Sequence, residues 1–150
     1  MKAAAEAEKQ IFRLLDDFAE GYSRKDINGM LSLYSTDSDL VFYGTGADEK
    51  RVGIEEIKLQ LERDFTQTDS LNIKYEWRLA SCAGEIAWVA ADTTINAIIE
   101  REEYIFPGRL TLVLKNTGGR WLIVQGHLSL PLLEQKEEDL DGEDLSLAGK

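Results

Sequence analysis

The chain has 150 residues, of which 43% are apolar and 30% charged, and its formal net charge is -11. That length suits one domain burying roughly two thirds of its unfolded surface, and no apolar run approaches the ~20 residues needed to span a bilayer. The acidic balance, without a basic patch, argues against nucleic acid or a membrane as partner.

Cys82 is the single cysteine, so an internal disulfide and a cysteine metal cluster are both excluded, and a cytoplasmic location is expected. The opening residues, rich in alanine, glutamate and lysine, run straight into a helical pattern and do not read as a signal peptide.

In chain order, Ile11, Leu14, Leu15, Phe18 and Tyr22 recur at spacings of three and four, which predicts an amphipathic helix over residues 3–23. Asp26 is a candidate N-cap for a short helix through Tyr34. Leu40 to Tyr43 reads as a strand, Gly44 to Asp48 as a turn, and a third helix follows Gly53 with Ile54, Ile57, Leu61 and Phe65 inward.

Strands fill the second half. Ser70 to Ser81 alternates Leu71, Ile73, Tyr75, Trp77 and Leu79 with polar residues; Ala83-Gly84 turns the chain into Glu85 to Ile99. Another turn at residues 100–103 leads to Tyr104 through Lys115, where Pro107-Gly108 is expected to interrupt the strand with a bulge. Thr117-Gly118-Gly119 joins it to a last strand from Trp121 to Pro131. Residues 1–131 thus form one domain. The remainder, 132–150, is expected to be a disordered acidic tail, since Glu134 to Lys150 holds seven acids, two lysines and few apolar residues. Three helices and then consecutive strands predict an α+β fold, a curved antiparallel sheet over three N-terminal helices.

Several of these stretches resemble the SnoaL-like domains of the nuclear transport factor 2-like superfamily. They are Asp26 to Tyr34, Asp37-Ser38-Asp39, Phe42 to Gly46, Gly53 to Ile57, Gly84 to Val89, Arg109 to Leu114 and Gly119 to Ser129. The closing hairpin is also similar to the association domain of calcium/calmodulin-dependent kinases, where a second histidine stands at the position of Gln125. The resemblance implies a cone-shaped, cystatin-like roll with a cavity between helices and sheet, paired as a homodimer through the sheet's outer face. It does not imply one activity, because the superfamily holds isomerases, dehydratases, cyclases, binding proteins and assembly modules.

Strict alternation along the last strand places Leu122, Val124, Gly126, Leu128 and Leu130 inside and Trp121, Ile123, Gln125, His127 and Ser129 outside. With Thr111 and Val113 the outer row forms the expected dimer surface, so His127, the single histidine, is read as an interface residue. Leu112 is placed opposite Val124, and Leu110 and Leu112 with Leu128 line the hollow. The resemblance further suggests that Trp88 and Asp92 point into the cone, where a buried carboxyl would serve as acid or base. Tyr43 is the candidate carbonyl polariser, and Tyr22 and Tyr34 are candidate wall residues.

Asp37, Asp39, Asp48 and Glu49 match no calcium loop, and Gly44-Thr45-Gly46 lacks the lysine of a phosphate loop, so no metal or cofactor is expected. The expected function is binding of a small hydrophobic molecule, with proton-transfer chemistry of the isomerase, dehydratase or cyclase type in view. The alternative is a non-catalytic assembly module whose cavity its own side chains fill. Cavity volume separates them.

Overall fold

A computed structural model describes residues 1–133, and the acidic segment from Glu134 onward lies outside the described residues. Helix α1 (Ala5–Arg24) buries Ile11, Leu14, Leu15 and Phe18, the stripe that its spacing implies, and ends where Lys25 turns left-handed. Helix α2 (Ile27–Leu31) starts at Asp26, whose Oδ1 accepts a hydrogen bond from the Gly29 amide at 2.9 Å, satisfying a donor that the helix itself leaves free. A three-residue strand, β1 (Val41–Tyr43), is followed by β2 (Lys50–Val52), which the turn-rich sequence before Gly53 concealed. Helix α3 (Ile54–Gln67) then buries Ile57 and Leu61.

The remaining strands, β3 (Ser70–Ala83), β4 (Ile86–Ile99), β5 (Glu102–Thr117) and β6 (Arg120–Ser129), form an antiparallel meander. β1 joins its end in parallel with β6, giving the order β2-β1-β6-β5-β4-β3. Two tight turns hold the hairpins in register. Gly118 and Gly119 take φ of 60° and 87°, and Glu100 and Arg101 take 52° and 70°, the left-handed pairs that match strand twist.

The helices cover one face, and the core lies between them and the sheet: Phe18, Leu15, Met30, Leu61, Leu110, Leu112, Leu114 and Ile123 are all buried there.

Four expectations about the strands are corrected. β5 runs unbroken through Pro107-Gly108 in register with β4; β6 ends opposite Arg109, so Pro107 has a strand neighbour on one side only and no bulge is needed. A bulge does occur in β6, because Val113 pairs with Gln125 while Leu114 pairs with Ile123, leaving Val124 extra. An extra residue exchanges the faces of everything beyond it. Trp121 and Ile123 are therefore buried in the core rather than turned outward, and Leu112 lies opposite Gly126, not Val124. The backbone of Leu33 to Ser35 fixes this turn of the strand through Ser35 N to Ile123 O and Ile123 N to Leu33 O.

A second bulge leaves Glu76 unpaired between Tyr75 and Trp77, so Trp77 and Leu79 face out although Leu71, Ile73 and Tyr75 face in. Finally, the inner row of β4 is Ala87, Val89, Ala91, Thr93, Ile95 and Ala97. Trp88 and Asp92 belong to the opposite row.

Gly126 shows how tightly the inner face is filled. A Cβ at that position would lie 2.3 Å from Phe42 Cε2 and 3.0 Å from Leu112 Cδ2, so only glycine lets the Phe42 ring close over β6.

Candidate functional site

The helices do not cover the whole inner face. Toward the C-terminal end of α3 and the β4–β5 turn, a cavity of about 580 Å³ remains between α1, α3, the β1–β2 hairpin and the sheet. Its apolar wall is Phe42, Leu71, Ile73, Ile95, Phe106 and Leu128, with Tyr22 reaching in from α1. The Tyr22 ring packs edge-on against Phe65 at 5.6 Å and beside Phe18 at 5.3 Å, which holds its orientation from two helices.

Asp64 supplies the polar side. It falls seven residues after Ile57 and three after Leu61, so helical geometry puts it on the buried stripe of α3 rather than on the solvent face. Gln60 Nε2 donates to Asp64 Oδ1 at 2.8 Å and to Glu49 Oε1 at 3.1 Å, so one amide links two carboxylates. Arg51 Nε donates to Gln60 Oε1 at 2.8 Å and fixes that amide, while the Gly46 amide donates to Glu49 Oε2 at 2.7 Å.

Burial pushes the Asp64 carboxyl from 3.8 to about 6, and neighbouring Glu49 adds to the shift against the opposing Gln60 hydrogen bond. Burial likewise holds the phenols of Tyr22 and Tyr34 well above their ordinary 10, so both stay protonated donors at neutral pH. The cavity thus brings together an acid that titrates close to neutrality, a protonated phenol and an apolar wall, which is the equipment for moving a proton on a carbonyl compound.

The sequence-based candidates fall on both sides of the sheet. Tyr22 and Leu128 line the cavity. Tyr34 is buried beside Phe42 with ring centroids 6.3 Å apart, and Leu110 and Leu112 lie in the closed core; none of the three is among the lining residues. Asp92 is exposed on the outer face, opposite Arg109 and Trp77, which removes its proposed role as a buried acid. Trp88 shares that face, and Tyr43, 45% exposed, stacks against His127 there with centroids 5.4 Å apart rather than reaching the hollow.

Thr111, Val113, Gln125 and His127 do occupy the outer face; Ser129, opposite Arg109, continues their row, whereas Trp121 and Ile123 do not. Asp64 was missed. Its signal was a carboxylate interrupting an otherwise apolar helical stripe.

The profile of the SnoaL-like domain matches residues 11–133. The chain belongs to the SnoaL-like family. Among solved structures, this SnoaL-like domain is similar to a nuclear transport factor 2-like superfamily protein from Salmonella enterica, with TM-score 0.81 and 16% identity over 94% of this chain and 100% of that one. It is also similar to a proposed scytalone dehydratase from Novosphingobium aromaticivorans, with TM-score 0.76 and 15% identity over 84% and 85%. A proposed calcium/calmodulin dependent protein kinase II association domain from Xanthomonas campestris superposes with TM-score 0.74 and 22% identity over 87% and 94%. At such identities these likenesses establish the α+β roll and nothing finer. No curated protein matches the chain. Among the described residues no helix is long and apolar enough to cross a membrane.

Proposed function

We propose that this SnoaL-like protein binds a small, largely hydrophobic organic molecule in the cavity between α1, α3 and the sheet, and that Asp64 is its acid–base group. The observation that carries the reading is an acid with a pKa of about 6 beside an open apolar hollow of about 580 Å³.

A carboxylate poised near neutrality takes a proton from carbon next to a carbonyl and returns it elsewhere, while the Tyr22 hydroxyl donates to the oxygen that gains charge. Isomerisation and dehydration both fit that step. The likeness to a proposed dehydratase of the same fold supports the same chemistry. The assembly-module reading requires a core filled by its own side chains, and the hollow weighs against it.

Self-association belongs to the proposal on separate grounds. The outer face of the sheet presents the rows Ser81–Trp88–Val113–Gln125 and Leu79–Ala90–Thr111–His127–Tyr43, with Trp77 next to them and 51% exposed. Such a continuous, partly apolar surface suits a second copy of the chain.

The pocket is tested by mass spectrometry of small molecules that co-purify with the native protein, compared with an Ile95→Trp variant that fills the hollow. Molecules carried by the native protein and lost from the variant support the reading; molecules retained equally by both overturn it. Asp64→Asn then separates chemistry from binding. Turnover of a captured carbonyl compound should drop by about 10²–10⁴-fold at little cost in affinity.

A further inference from the structure

Asp64 is not held by backbone geometry alone. Gln60 stands one turn before it on α3, and residues four apart share a helical face. The Gln60 amide nitrogen carries two hydrogens and both are used, one toward Asp64 Oδ1 at 2.8 Å and one toward Glu49 Oε1 at 3.1 Å. The amide oxygen accepts from Arg51 Nε at 2.8 Å. Turning the amide over would set its oxygen against two carboxylate oxygens and its amino group against a guanidinium, so the surroundings allow one orientation.

Arg51 is itself fixed, because its Nη1 donates to the Asp48 carbonyl at 3.1 Å. Glu49 precedes β2 and Arg51 lies within it, so both partners of the amide outside α3 come from the β1–β2 hairpin.

The two carboxylates are not equivalent. Glu49 has a donor on each oxygen, Gln60 on Oε1 and the Gly46 amide on Oε2 at 2.7 Å. Asp64 is held through Oδ1, and among the described residues no donor is bonded to its Oδ2; the adjacent Arg63 pairs with Asp48 instead. Asp64 lines the hollow, whereas Gln60 does not. An amide that grips one carboxylate oxygen from outside the cavity restricts rotation of the group and leaves the other oxygen for a ligand.

Resting on the acid–base reading of Asp64 above, we infer that Gln60 is the positioning residue of this site: it holds Asp64 by Oδ1, turns Oδ2 to the hollow, and is locked in that role by Arg51. It acts only through Asp64. Its bond favours the ionised carboxylate and so opposes both burial and the repulsion from Glu49, which keeps Asp64 able to release a proton as well as take one near neutrality. The hairpin thereby belongs to the working geometry of an acid that α3 carries.

The test follows the carboxyl carbon of Asp64 by NMR in the full chain carrying isotope-labelled aspartate, from about pH 4 to about pH 8, with the signal assigned by its loss in Asp64→Asn. In the native protein the midpoint is expected at about 6. Gln60→Met keeps the length of the side chain and removes the amide, and the midpoint should rise by about one pH unit, the shift that a lost hydrogen bond to a charged group implies. Arg51→Lys keeps the charge, loses the Nε donor and should move the midpoint the same way by less. Without any substitution, the side-chain amide signals of Gln60 should shift with the same midpoint as Asp64. A midpoint that stays or falls in Gln60→Met, or Gln60 amide signals that ignore the Asp64 titration, is what a glutamine serving helix packing alone would give; either overturns the positioning role and leaves the Asp64 reading in place. No change in Arg51→Lys overturns the lock. A native midpoint near the ordinary 3.8 removes the acid–base reading and this inference together.

Discussion

Asp64 should cost the protein stability at neutral pH, and the cost should disappear in acid. The carboxyl titrates at about 6 in the folded protein against an ordinary 3.8. Between those values the native state holds a proton that the unfolded chain has released, so native stability falls as pH rises from about 4 to 6, and above that the full penalty is present. A separation of about two units at about 1.4 kcal/mol each gives a penalty on the order of 3 kcal/mol.

Asp64→Asn keeps the shape and keeps an oxygen that accepts from Gln60 Nε2, while removing the charge and its repulsion with Glu49. The variant should therefore match the parent near pH 4 and exceed it by up to about 3 kcal/mol at pH 8. Urea denaturation of both proteins across that interval, at one protein concentration, reads the difference directly. A variant less stable than the parent at pH 8, or a difference that does not change with pH, would refute the placement of Asp64 in a desolvated site.

Other substitutions probe the rest of the account. Gly126→Ala puts a methyl against the Phe42 ring and should destabilise by about 1–3 kcal/mol in thermal or urea unfolding. Ile123→Ala should cost about 2–5 kcal/mol because the bulge at Val124 turns this side chain into the core, whereas outward-facing His127→Ala should fall within about 0.5 kcal/mol of the parent when unfolding is followed under conditions that keep the chain monomeric. Val113→Arg, in the middle of the outer face, should lower the mass measured by light scattering at micromolar concentration from dimer to monomer without loss of helix or strand signal.

Much of the framework was legible because it rests on local rules. The stripe of α1, the Asp26 cap, the start of α3 after Gly53 and the Gly118-Gly119 turn all follow from spacing or backbone geometry within a few residues. The site was less legible because strand parity is a long-range property. One extra residue at Val124 or Glu76 reverses the faces beyond it, and nothing in Trp121-Leu122-Ile123-Val124 marks which residue will be unpaired.

Asp92 failed for a different reason. Alanine, valine, threonine and isoleucine fill the alternate positions of β4, and an uncharged row of that kind is the one a core prefers. Weighing the two rows by charge, rather than by likeness to relatives, would have placed Asp92 outside. The same weighing applied to α3 would have singled out Asp64, since a charged residue on a buried stripe is costly and groups perturbed in that way cluster at functional sites.

The most direct test of the central claim is methyl-detected NMR during titration with 2-naphthylmethanol, a neutral probe indifferent to the charge of the wall. Shifts should concentrate on the methyl groups of Leu71, Ile73, Ile95 and Leu128, which line the hollow. Shifts confined to Leu79, Ile105 and Val113 on the opposite side of the sheet would show that the molecule binds elsewhere, and would contradict the account.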